Sequence, residues 1–153
     1  MRSIKYNPII IFFYQIFRVP EFFNCTIEGN IAYFGGGAGI ACWYGTTTIK
    51  NSIIYNNYND SSLSYDIYEA YTFSENDQGA LVATNVIYRS SYGGISLSGS
   101  NSTSDPLFTN AGSNDYTLQS TSPAIGAGNS DAISYDFNDI YRPPVSYTHL
   151  TLP

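Results

Sequence analysis

The sequence predicts an all-β chain assembled from stacked, near-equivalent strands. Composition is the first sign. Charged residues make up 12% of the 153 positions while hydrophobic residues reach 43%, and the balance is Asn, Ser, Thr, Gly and fifteen tyrosines. Long helices carry Lys, Glu, Arg and Ala on their wet faces, whereas Tyr, Thr and Ile suit strands and Asn, Gly and Ser suit tight turns. The second sign is repetition. Phe22 to Asn30, Ile49 to Asn57 and Ala83 to Ser91 read as copies of one unit, with Asn24, Asn51 and Asn85 as anchors 27 and then 34 residues apart. Such a period lies in the solenoid range. Length is the third: one domain of this size buries a real core.

Each stretch supports that expectation in turn. Met1 to Pro20 holds the apolar run Ile9 to Tyr14 behind Arg2 and Lys5. It fits a signal-like segment loosely, lacks a small-residue cleavage site, is too short to span a bilayer, and also suits an upstream rung or cap. No membrane span is expected. Residues 21–104 form the repeated part. Aligning the copies places Phe22, Ile49 and Ala83 at one level, Cys25, Ser52 and Val86 at a second, and Ile27, Ile54 and Tyr88 at a third. Parallel neighbours lie about 4.8 Å apart. Asn24, Asn51 and Asn85 are therefore expected to form a structural ladder of hydrogen-bonded amides, because a buried amide without partners is costly.

Between the first two copies, Gly35-Gly36-Gly37 precedes Ile40-Ala41-Cys42-Trp43-Tyr44. No GK[ST] and no helix follow, so a sharp corner is expected rather than a phosphate loop. With Ile40 inward, strand alternation turns Trp43 outward. Tyr58 to Gly79 reads as a polar insertion, a protruding loop with one irregular strand around Tyr65 to Tyr71. Ser90 to Ser104 reads as turns.

From Ser104 the repeat gives way to a closing segment, residues 105–144. Asp105-Pro106-Leu107-Phe108 is followed by Asp115-Tyr116-Thr117-Leu118, then Ser122-Pro123-Ala124-Ile125 with Gly126 and Gly128, and an acidic stretch ending in Arg142-Pro143. This order and spacing resembles the end of bacterial right-handed parallel β-helix proteins of the choice-of-anchor Q type, over roughly Phe22 to Pro143. The resemblance implies a right-handed parallel β-helix of about three coils, capped at the end of the stack by an irregular closing segment. It also implies a C-terminal fragment of a secreted or cell-surface protein. The last residues, Val145 to Pro153, match the translation of a transposase mosaic-end sequencing adapter, and a scar of that kind carries no fold information. His149, the sole histidine, lies within it.

Charge and motifs narrow the function. The net charge is −6, and the six basic residues, Arg2, Lys5, Arg18, Lys50, Arg89 and Arg142, are scattered. Nucleic-acid binding needs a clustered basic surface, so it is excluded. Cys25 and Cys42 form no disulfide framework or CxxC metal motif and read as small buried thiols. Polysaccharide lyases of β-helix architecture resemble one another in using an acidic calcium cluster with Arg or Lys bases. Here Asp60, Asp66, Asp77 and Lys50 match no calcium loop, and such a polar stretch is usually a solvated face. Asp136, Asn138 and Asp139 carry part of a calcium pattern, which a cap turn also explains. No nucleophile motif is present. No catalytic residue, metal ligand or cofactor is therefore expected. Trp43 and Tyr44 are the candidate ligand residues, since aromatic rings stack on sugars, although the 58–79 insertion can also cover Trp43. The expected function is a stalk, adhesin or surface contacting a polysaccharide or host glycan. The alternative is the C-terminal part of a polysaccharide lyase or glycoside hydrolase whose catalytic coils lie upstream.

Overall fold

The computed structural model describes residues 20–32, 37–43, 45–59, 65–69 and 80–129. Strands β1 (Glu21–Phe23), β2 (Thr26–Glu28), β3 (Ile31–Ala32) and β4 (Gly37–Cys42) make a first pass of the chain. Strands β5 (Thr46–Tyr55), β6 (Tyr58–Asn59) and β7 (Tyr65–Glu69) make a second. Strands β8 (Ala80–Tyr88), β9 (Ser91–Tyr92) and β10 (Ser96–Ser98) follow, then the hairpin of β11 (Phe108–Asn110) and β12 (Asp115–Leu118) around a 3-10 turn at Ala111–Ser113. The class is all-β with parallel sheets. One sheet runs β1–β5–β8–β10 with β2 also on β5, a second pairs β3 with β6, and a third runs β4–β7–β9. Every pairing in these three sheets is parallel, and among the described residues only the hairpin is antiparallel.

The register sets the core. Phe22 stands beside Ile49 and Ile49 beside Ala83. Ile27 stands beside Ile54 and Ile54 beside Tyr88, while Ser52 faces Val86. Apart from Ser52, these side chains share one apolar cluster with Ile40, Cys42, Ile67 and Leu81. Ile49, Ile54 and Ile67 are fully buried, each worth about 1.5–3 kcal/mol of transfer free energy. The inward residues do not alternate strictly, because Asn24, Asn51 and Asn85 adopt φ of 52°, 48° and 53°. Left-handed backbone suits Asn better than other non-glycine residues. One such residue bends the strand and shifts its alternation by one position. Ile49 and Ile54 therefore both face inward although five positions separate them, and Ile53 faces the other way.

The structure bears on three expectations. The strand expected around Tyr65 is present as Tyr65–Glu69, the central strand of the third sheet, pairing with β4 and β9, while residues 60–64 and 70–79 of the expected loop lie outside the described residues. Ser90 to Ser104 contains two paired strands as well as turns. In both stretches backbone pairing overrides a polar, turn-rich composition. The described part of the closing segment, residues 105–129, lies against the flank of the first sheet, where Ala124, Phe108 and Leu118 pack on Ile53 and Ile87; residues 130–144 lie outside the described residues. Ser122 ties this segment together: its hydroxyl donates to Pro106 O at 2.6 Å and accepts from Ala124 N at 3.1 Å. The outward-facing isoleucines explain the placement, because they offer apolar surface on that side.

Candidate functional site

Two clusters organise the polar chemistry, and a third group is aromatic. The first cluster is the asparagine corner. Asn85 Nδ2 donates to Asn51 Oδ1 at 3.1 Å, and Ser100 N donates to Asn85 Oδ1 at 2.8 Å. The column does not extend to the first pass through its amides. Asn51 Nδ2 turns to Asn129 O, Asn129 N returns to Asn51 Oδ1, and Asn24 Oδ1 is buried with no partner among the described residues. Asn51, Asn85 and Ser100 are thus joined by side-chain bonds, while Asn24 shares their backbone bend but not their bonds. Gly99 is required beside this column, since a Cβ there would collide with Asn85 Oδ1.

The second cluster centres on Asp66, which is wholly buried in β7. One carboxylate oxygen accepts from Asn57 N at 2.7 Å and Asn57 Nδ2 at 3.3 Å, and the other accepts from Arg89 N at 2.7 Å and Ser90 N at 3.3 Å. Four donors fill the acceptor capacity of an ionised carboxylate. Burial lifts this carboxyl above its usual range, and the Asn57 and Arg89 bonds together with the Arg89 charge hold it back. Asn57 passes the link on to the first pass, because Asn30 N and Nδ2 both donate to its Oδ1. Arg89 donates to Asn57 O and Asn56 Oδ1, and Asn56 Nδ2 donates to Glu28. Gly39 sits where a Cβ would meet Asp66 O and the Ile54 side chain. Its reason is close approach, not a positive φ.

Asp66 has no open lone pair for a substrate or a cation, and Lys50 lies over the Phe23 ring at 5.7 Å. Among the described residues no group of three potential metal-ligating side chains occurs. Asp60, Asp77, Asp136, Asn138 and Asp139 lie outside the described residues. Cys42 is buried, and its thiol is pushed up, first by burial and also by the Glu69 charge, against hydrogen bonding to Thr47. A thiol held neutral in this way is a poor nucleophile. Glu69 is itself raised by burial against a Leu81 N–H bond, and its Oε2 has no partner among the described residues.

An aromatic group lies on the outer face of the third sheet. Ala41 stands beside Tyr68 and Tyr68 beside Tyr92. The Tyr68 and Tyr92 rings stack at 5.1 Å and 11°, Tyr65 lies 5.3 Å from Tyr92, and Trp43 lies 6.1 Å from Tyr68. Trp43 is half-buried within this group, Tyr92 is 44% exposed, and Tyr44 lies outside the described residues. Reading the sequence singled out Trp43 but missed Tyr65, Tyr68 and Tyr92. The signal was available in Tyr65-Asp66-Ile67-Tyr68-Glu69, where an inward Ile67 turns Tyr68 outward. Desolvation and the neighbouring Tyr92 and Tyr65 raise the Tyr68 hydroxyl, so its phenol stays protonated. Among the described residues no helix is long and apolar enough to cross a membrane. No family model matches the chain, and neither does any curated protein or solved structure.

Proposed function

We propose that the chain is a non-catalytic segment of a right-handed parallel β-helix on a secreted or cell-surface protein, serving as a stalk or adhesin that contacts glycans. The observation that carries this reading is the order of the strands. The first two passes visit the first, second and third sheets in turn, the third goes from the first sheet to the third, and equivalent residues fall side by side. Chain that winds in this way makes an extended, rigid rod with repeating flat faces. The aromatic face supplies the contact: rings with one apolar aspect and a polar tip suit a sugar's CH face and hydroxyls together. The Asp66 and asparagine corners hold the passes in register beneath it. The test is to incubate the full chain with a panel of neutral and acidic polysaccharides. Retention on at least one glycan with no new reducing ends and no unsaturated sugars is the expected result. Turnover of any member of the panel would establish an enzyme instead.

A further inference from the structure

The two edges of the first sheet differ. On the β1–β2 side Thr26, Ile27 and Glu28 are buried although they belong to outermost strands. On the other side the last pass lies open, with Ser96, Leu97, Ser98, Gly99 and Ser100 all exposed. Leu97 stands beside Ala83, so it continues the innermost apolar column of Phe22, Ile49 and Ala83. Yet it is 51% exposed, the most of any large apolar side chain among the described residues. The hairpin that follows leaves this edge uncovered, because it packs on the flank at Ile53 and Ile87. β10 pairs with β8 on one side and with no described strand on the other.

Open edges are normally blunted by lysine, proline or inward charge. From Ser90 to Ser104 the sequence contains no charged residue and no proline. On a chain of net charge −6, a neutral stretch is where a second identical chain approaches with least repulsion. Its Ser and Gly side chains are small enough to let two backbones meet. A half-exposed Leu97 supplies the apolar contact.

We propose that this edge is a self-association surface. β10 pairs antiparallel with β10 of a second copy across a twofold axis, with the two Leu97 side chains in contact. An isologous contact of this kind closes on itself and stops at the dimer. Because β10 is short, the association is weak and concentration-dependent.

Sedimentation of the full chain at concentrations up to roughly 1 mM is the test. The expected result is a reversible monomer–dimer equilibrium. Leu97→Glu, and independently Ser96→Lys, should weaken it at least about tenfold, as loss of a central contact does. Ile125→Glu, on the closing segment and 39% exposed in the parent, should leave it unchanged. Thermal melts of each variant confirm folding, and a variant that does not fold is replaced in the argument by the other. A monomer throughout, aggregation without a dimer step, association retained in the folded edge variants, or equal loss in Ile125→Glu would each overturn the proposal.

Discussion

The two corners of the molecule solve one problem by different means. Where the first sheet bends, Asn51 and Asn85 meet amide to amide, and each contributes a neutral side chain from its own pass. Where the chain leaves that sheet, Asp66 alone gathers backbone N–H groups from Asn57, Arg89 and Ser90. The first device is distributed, so losing one amide leaves its neighbour partly bonded. The second is concentrated in a single charge, and one change strips acceptors from two passes at once. Charge-assisted bonds are stronger than neutral ones, but burying the charge costs part of that gain. The concentrated corner is therefore the more brittle.

Its replacement should therefore produce the largest effect. Asp66→Asn keeps the shape but puts an NH2 group where one carboxylate oxygen accepts two N–H bonds. Two buried donors are then left facing a donor. The expected loss is about 3 kcal/mol, read as a lower urea midpoint with an unchanged slope. A loss no larger than that of the asparagine-corner variants would show that the two corners are equally robust.

The corners also differ in how well they could be read from sequence. Asn24, Asn51 and Asn85 recur in similar surroundings, and repetition exposes both their shared backbone bend and the apolar levels around them. The Asp66 corner does not repeat. Asn30 and Asn57 recur at equivalent positions, but the carboxylate comes from the third sheet, on a strand whose existence around Tyr65 was legible and whose pairing partners were not. Tyr68 and Tyr92 stayed hidden for the same reason, because their pairing depends on β7 and β9. The flank position of the closing segment depends on Ile53 and Ile87 facing outward. That follows only once the left-handed φ at Asn51 and Asn85 is known.

The asparagine corner gives a graded series of smaller effects. Glycine tolerates the left-handed backbone at each anchor, so substitution to glycine isolates the side-chain bonds. Asn51→Gly removes contacts to Asn85 and to both backbone groups of Asn129. It should cost about 2 kcal/mol. Asn24→Gly removes an oxygen with no partner among the described residues and should stay within about 0.5 kcal/mol. Equal losses at the two positions, measured by urea unfolding, would mean that Asn24 is bonded in solution as Asn51 is.

The smallest effect separates a carboxylate that is fully hydrogen-bonded from one that is not. Glu69, like Asp66, sits above its usual range through burial, but only a Leu81 N–H opposes the shift. In the unfolded chain Glu69 titrates near 4.5. Between that value and its raised folded value, the folded state binds more protons than the unfolded state. By linkage, the stability contributed by this group then rises as pH falls through the window and levels off below 4.5. Above the window the charged, half-partnered carboxylate is a constant burden. Glu69→Gln keeps an oxygen for Leu81 N–H and removes the charge. Urea midpoints measured between mildly acidic and neutral pH should therefore change less with pH in the variant than in the parent. The slope that survives belongs chiefly to Asp66, whose burial acts in the same direction. If both proteins show the same pH slope, the Glu69 carboxylate is solvated in solution, and the contrast between the two buried acids does not hold.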